Sequence, residues 1–179
     1  MAGFIDIACN FTHESFKYKL EEVINNAEHA GVEKFVLLCA SLTDLDPIKK
    51  IQNNAPNKFF ISAGIHPHHA TETVEINYDQ LLRQLQSITP HAIGETGLDY
   101  FRNISPPDIQ KKSFSMHIEI AKELNLPLYL HQRDAHNDFI RIIRENRKNF
   151  PKFVVHCFTG TQKELDESLD LGAYIGLTG

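Results

Sequence analysis

Four side chains of metal-ligand type each close a short apolar run. They are His66 in Gly-Ile-His-Pro-His, Glu95 in Ile-Gly-Glu-Thr-Gly-Leu-Asp, His131 in Leu-Tyr-Leu-His-Gln-Arg-Asp and His156 in Val-Val-His-Cys-Phe-Thr-Gly. Histidine and glutamate both ligate divalent ions. A single histidine in such a place is more often a hydrogen-bonded rim residue; four together point to a metal-binding rim. A mixed imidazole and carboxylate set suits zinc, manganese or, with waters, magnesium, and spacing does not choose among them. A metal so held polarises an ester or amide and acidifies water, so the chemistry is hydrolysis. The chain carries no GxGxxG after its first apolar run and no GxxxxGK[ST], and no serine or cysteine stands in a recognisable nucleophile elbow.

Neighbouring residues extend the constellation. Tyr129, His131 and Arg133 alternate, so in a strand they share one face. Arg133 there offers a fork of donors to a metal-bound anion, or a salt bridge to Asp99 or Asp134. Asp99 follows Glu95 by four residues and either orients a metal-bound histidine or caps the loop. His68 and His69 are weaker candidates. His13, His29, His91 and His136 read as surface residues. Cys9, Cys39 and Cys157 read as small buried residues, with Cys157 on the face opposite His156. The segment 133–152 is rich in Arg and Lys; an ordinary solvated helix face explains it better than a phosphate track.

These side chains need elements to hold them. Apolar, β-branched runs fall at 4–9, 34–40, 59–65, 91–94, 127–130, 152–155 and 173–177, which predicts seven strands. Amphipathic stripes lie between them. Phe16, Leu20, Val23, Ile24 and Ala27 form one, stopped by Gly31. Leu81, Leu82, Leu85 and Ile88 form another. Ser105-Pro-Pro-Asp108 predicts an N-cap and helix start, followed by Ile109, Met116 and Ile120. Phe139, Ile142 and Ile143 mark a helix after His131. Thr161 and Glu164 form a capping box ahead of Leu165 and Leu169, with Gly172 as the stop. A weaker helix spans 44–54 with Pro47 in its first turn. Strands alternating with helices predict a parallel sheet, either doubly wound or rolled into a βα barrel.

Composition sets the frame. The 179 residues are 42% hydrophobic and 23% charged with a formal charge of -5, ordinary for one globular domain. No apolar run approaches the ~18 residues of a membrane span, and the first residues lack the basic region of a signal peptide. Three scattered cysteines form no disulfide framework. A cytoplasmic, monomeric protein is expected. The net negative charge does not favour tight non-specific binding of nucleic acid, though it leaves room for a metal-bridged phosphodiester.

Five motifs in order resemble the TatD family of metal-dependent deoxyribonucleases: Asp6-Ile-Ala-Cys-Asn10, Ala63-Gly-Ile-His66-Pro-His68, Ile93-Gly-Glu95-Thr-Gly-Leu-Asp99, Leu130-His131-Gln-Arg133-Asp-Ala and Val155-His156-Cys-Phe158-Thr-Gly160. The resemblance runs along nearly the whole chain. It implies an α/β fold, a βα barrel of the metallo-dependent hydrolase kind. It implies hydrolysis of DNA phosphodiesters, as a 3′–5′ exonuclease on single-stranded DNA with RNA as a second substrate, in DNA repair or breakdown. It places a divalent ion (Mg2+, Mn2+ or Zn2+) on Glu95, His131 and His156. His66 and Arg133 are then expected to hold substrate, with Asp6, Asn10, His68 and Asp99 in support. Two departures stand out. Many family members carry two histidines in the first motif, at positions that here are Ala8 and Asn10. The family also has an eighth strand with a general-base aspartate, which would lie beyond Gly179. The expected unit is thus a single domain over 1–179, one strand short of the family's barrel, with the chain continuing or another element filling the gap. A metallohydrolase of small esters, lactones or amides on the same barrel is the competing enzyme reading. An incomplete barrel that binds a metal or a partner without turnover is the non-catalytic one.

Overall fold

The computed structural model describes residues 3–178. Seven parallel strands form one sheet in sequence order: β1 (Phe4–Cys9), β2 (Val32–Leu38), β3 (Phe59–Ala63), β4 (Ala92–Asp99), β5 (Leu128–Arg133), β6 (Phe153–Val155) and β7 (Ala173–Ile175). Six α-helices connect them: α1 (Leu20–His29), α2 (Leu45–Asn54), α3 (Tyr78–Ser87), α4 (Pro107–Leu124), α5 (His136–Asn146) and α6 (Gln162–Asp170). Strand order equal to chain order is the barrel path and not the doubly wound one, whose order reverses at a switch point. The sheet curls so far that Ile7 of β1 lies against Gly176, just past β7.

The helices form where the apolar stripes predict them, and local chemistry fixes their ends. Thr161 and Glu164 cap each other ahead of α6, and Gly172 follows it at φ +81. Asn77 and Gln80 make a second reciprocal cap ahead of α3. Ser105 is not the N-cap of α4: Pro106 holds that position, and the Ser105 hydroxyl donates instead to the His68 carbonyl at 2.9 Å. The main core lies between sheet and helices. Phe35, Leu37, Phe59, Ile61, Leu128, Leu130 and Phe153 from the strands are buried with Phe114, Ile118, Phe139 and Ile143 from the helices. Phe114 and Phe139 stack with centroids 5.6 Å apart. The concave face bears Ile5, Ile7, Val36, Phe60, Tyr129 and Val154 around a cavity of about 570 Å³.

Two strands run further than their sequence suggests. β4 continues from Ala92 through Glu95 to Asp99, where the sequence reads as a strand ending at Gly94. Gly94 and Gly97 adopt φ near +140, and a Cβ on either would collide with the carbonyl of Tyr129 or His131 respectively. Only glycine permits that conformation and that approach. The β4–β5 register shifts between Ile93 and Thr96 as a result. β5 likewise continues past His131 to Arg133, which pairs with Asp99. Glu95 and His131 are therefore held on strands, not loops.

Candidate metal centre

The C-terminal ends of β3 to β6 bring His66, Glu95, His131 and His156 together. One oxygen, Glu95 Oε1, is the focus: His131 Nδ1 and His156 Nε2 each lie 3.2 Å from it, and His66 Nε2 lies 3.7 Å from it. Glu95 is 7% exposed and His66 9%. The cleft above them has a volume of about 270 Å³, and Arg102, Arg133, Cys157 and Thr159 line it with them.

Asp99 stands behind this cluster, fully buried. Its Oδ2 accepts from His68 Nε2 at 2.8 Å and from His131 Nε2 at 3.1 Å. Its Oδ1 accepts from the Arg102 backbone N–H at 2.8 Å. It thus performs both expected tasks, orienting a histidine and capping the loop. Burial opposes ionisation of Asp99, but the Arg102 N–H and the two imidazoles outweigh it and hold the carboxyl below its usual range. The same contest favours the carboxylate at Glu95, where the imidazoles of His131, His156 and His66 around it outweigh burial.

These partners select tautomers. His131 gives its Nε2 proton to Asp99, so in its neutral form the Nδ1 lone pair faces Glu95 Oε1. Two acceptors then point at one spot, which a divalent cation satisfies and a void does not. Separations of 3.2 Å also match the ligand-to-ligand distance of roughly 3.4 Å that tetrahedral bonds of ~2.1 Å produce. Ligand atoms of His66, Glu95 and His131 lie within 4.8 Å of one another, a group able to hold a divalent ion, and His156 Nε2 adjoins the same Glu95 oxygen at 3.2 Å. His66 differs. Its Nδ1 accepts from the His68 backbone N–H at 3.1 Å, which leaves the proton on Nε2. That N–H is beyond hydrogen-bond reach of Glu95, so it is a free donor at the cleft. Burial holds the His66 ring neutral, with its pKa lowered to about 3.

The remaining residues fall into place with some changes. Asp6 and Asn10 are not part of the cluster; Asp6 Oδ1 accepts from Ala8 N and Asn10 Oδ1 from the Thr12 hydroxyl, both in exposed positions. His69 faces Glu72 at 3.6 Å, away from the cluster. Arg133 makes neither of the ion pairs weighed for it: among the described residues its guanidinium has no carboxylate partner and stacks 4.0 Å above the Phe101 ring. Cys157 is not on the opposite face. β6 ends at Val155, Cys157 turns at φ +51, and its side chain lines the cleft. His136 is buried, not superficial, and bonds Glu167 at 2.8 Å. In the basic segment, Arg141 pairs with Asp138 and Glu145, while Arg147 donates to the Leu171 and Phe150 carbonyls. Thr159 lies in the Val155–Gly160 motif without being singled out there, and Arg102 carries no sequence signal beyond its nearness to Asp99.

A family model described as TatD related DNase matches residues 5–179. This chain belongs to that family. It is 37% identical over 174 residues to a protein named 3′-5′ ssDNA/RNA exonuclease TatD from Erwinia billingiae, covering 97% of this chain and 67% of that protein. A protein of the same name from Musicola paradisiaca is 37% identical over 177 residues, with 97% and 66% covered. The family shares its fold with solved structures. A TatD family hydrolase from Entamoeba histolytica superposes with TM-score 0.88 at 29% identity, covering 99% of this chain and 65% of that one. A TatD homolog from Escherichia coli gives TM-score 0.83 at 26% identity, covering 96% and 66%. This TatD-family chain spans about two thirds of the length of the relatives it matches. Its seven-stranded sheet is thus a curled portion of a TatD-type barrel. No helix among the described residues is long and apolar enough to cross a membrane.

Proposed function

We propose that this chain is a metal-dependent nuclease that hydrolyses phosphodiester bonds of single-stranded DNA from the 3′ end, with RNA as a second substrate. The observation that carries the reading is the convergence of three imidazoles on Glu95 Oε1, with Asp99 fixing the tautomer of one of them. Kinship with proteins named as 3′-5′ ssDNA/RNA exonucleases supports the substrate class.

Glu95, His131 through Nδ1 and His156 through Nε2 would hold a divalent ion. When bound, such an ion supplies charge stabilisation at a phosphoryl oxygen and acidifies water. The chain's own residues position the substrate. His66 presents its Nε2–H to the cleft as a neutral donor. The unpaired Arg133 guanidinium offers two parallel donors to a second phosphate oxygen. His68 and Asp99 keep the His131 ring from rotating. Cys9, Cys39 and Cys157 are free thiols, which accords with the cytoplasmic, DNA-repair or DNA-breakdown setting that we propose for a monomer built as one domain.

Digestion of 5′-labelled single-stranded DNA tests the reading. A ladder shortened stepwise from the 3′ end is expected, lost on chelation and in His131→Ala. Undiminished cleavage by His131→Ala would overturn it. Turnover of small esters or amides with no release of mononucleotides would transfer the site to the competing hydrolase class.

A further inference from the structure

The loop between β4 and α4 carries an aromatic side chain at the lip of the cleft. Phe101 is 59% exposed, although nothing in its backbone is loose. The loop is pinned at its start by Tyr100 N donating to the Arg133 carbonyl at 2.9 Å. Arg102 N donates to Asp99 Oδ1 at 2.8 Å. At its end, Gln110 Nε2 donates to the Ser105 carbonyl at 2.7 Å, and the Ser105 hydroxyl donates to the His68 carbonyl at 2.9 Å. A large apolar ring is thus presented to solvent in a fixed place, on the loop that leads directly from Asp99.

The Arg133 guanidinium covers one face of the ring, 4.0 Å from its centroid, and the same Arg133 lines the cleft with Glu95, His131 and His156. With 59% of the residue exposed, the guanidinium leaves much of the ring to solvent. A cation fixed over one face polarises the π-system, and the Arg133 side chain ties the ring to the cleft. Arg133 thus touches the ring and lines the cleft at once, which puts the ring one side chain away from the candidate phosphate donors.

We propose that Phe101, backed by Arg133, is a stacking platform for an unpaired nucleobase adjoining the phosphate in the cleft. The ligand class is a single-stranded nucleic acid, engaged by the π-face of the base and hence with little sequence preference. Only a base freed from its duplex partner can lie flat on the ring, so the platform selects single strands. The proposal rests on the nuclease reading and adds to it a base-recognition site.

The chain contains no tryptophan, so Phe101→Trp introduces a sole fluorophore at the platform. In chelator, where no hydrolysis occurs, titration with a 5′-labelled oligonucleotide is followed by tryptophan quenching and by label anisotropy. A second oligonucleotide has the same length but lacks bases at its three 3′-terminal nucleotides. Stacking predicts quenching by the first and not by the second. It also predicts that Phe101→Ala weakens binding of the complete oligonucleotide about tenfold, changes the abasic one less than twofold, and that Phe101→Trp binds at least as well as the parent. If Phe101 serves only to hold Arg133, Phe101→Ala weakens both oligonucleotides equally, and that result overturns the proposal. Equal quenching by both oligonucleotides overturns it too. A parent chain that digests DNA from the 3′ end, with Phe101→Ala unaltered on the complete strand, removes the platform and leaves the nuclease reading standing. A parent chain that neither binds nor digests single strands removes both.

Discussion

Gln110 on α4 grips the backbone of Asp99 on β4 from both sides. Its Oε1 accepts from Asp99 N at 2.7 Å, and its Nε2 donates to the Asp99 carbonyl at 3.0 Å and to the Ser105 carbonyl at 2.7 Å. Gln110 is fully buried. An amide side chain thus holds Asp99 from the helix side, and with it the carboxylate that His68 and His131 share. Gln110→Met preserves volume and removes all three bonds. Leaving these backbone groups unsatisfied costs about 3 kcal/mol. Urea unfolding is expected to show that loss; a change below roughly 0.5 kcal/mol, the scatter of ordinary surface substitutions, would mean that water replaces the amide.

Asp99→Asn tests the link from Asp99 to the metal residues. Asparagine can still accept from Arg102 N. With its oxygen kept on Arg102 N, its NH2 takes the place of Oδ2 and faces both His68 and His131, which share that one oxygen in the parent chain. His131 then loses the partner that fixes its proton on Nε2, and its Nδ1 lone pair is no longer reserved for a cation. Metal affinity is expected to fall 10- to 100-fold, as is usual when the carboxylate behind a histidine ligand is lost. Calorimetric titration with Mn2+ or Zn2+ against the parent chain measures this, and circular dichroism verifies the fold. Equal affinities would show that Asp99 only caps the loop.

The elements that build the site were legible because apolar runs and capping residues are local signals. All seven strands, the Thr161–Glu164 cap and the Gly172 stop follow from periodicity and side-chain chemistry. So does the placement of His66, Glu95, His131 and His156 on one rim. Several of the differences share one cause: a tertiary partner reversed a local preference. The fourth apolar run stops at Gly94 with Glu95 closing it, and only the close approach of the Tyr129 and His131 carbonyls to Gly94 and Gly97 carries the strand on to Asp99. His136 reads as superficial until Glu167 of α6 is beside it. Asp6 and Asn10 carry a motif, but motif order says nothing of distance: the Asp6 carboxylate accepts from Ala8 N and the Asn10 amide oxygen from the Thr12 hydroxyl. The Phe101–Arg133 stack joins residues 32 positions apart along the chain, and no periodicity encodes it.

Gly97 offers a sharper test of that argument. Its φ of +141 is strained for any side chain, and an added methyl would meet the His131 carbonyl. Gly97→Ala is expected to lower stability by about 4 kcal/mol, from backbone strain of ~2 and overpacking of ~2. The displacement falls on the strand that carries His131, so metal binding should weaken in whatever fraction remains folded. Thermal unfolding with and without Mn2+ reads both effects. A fully stable Gly97→Ala variant would show that β4 and β5 can separate freely, and with them Glu95 and His131.

His117 gives the fold a defined acid sensitivity. It is fully buried on α4, where its Nδ1–H donates to the Ser113 carbonyl at 2.7 Å and its Nε2 accepts from Ile65 N at 3.0 Å. Both nitrogens are committed to the neutral ring. Burial lowers its pKa from 6.5 to about 4, partly offset by the Ser113 carbonyl. The unfolded chain therefore takes up a proton at this residue before the folded chain does. Its contribution is intact above pH 6.5, falls as pH drops from 6.5 to 4, and is exhausted below 4. The amplitude is on the order of 3 kcal/mol. Since Ile65 adjoins His66, the same protonation also loosens the backbone that presents the His66 ring. His117→Gln can keep the acceptor for Ile65 N and carries no titrating group. Relative to the parent, its urea midpoint should rise steadily between pH 6.5 and 4 and stay at a constant offset above that range. Parallel pH profiles for the two proteins would place the acid sensitivity elsewhere.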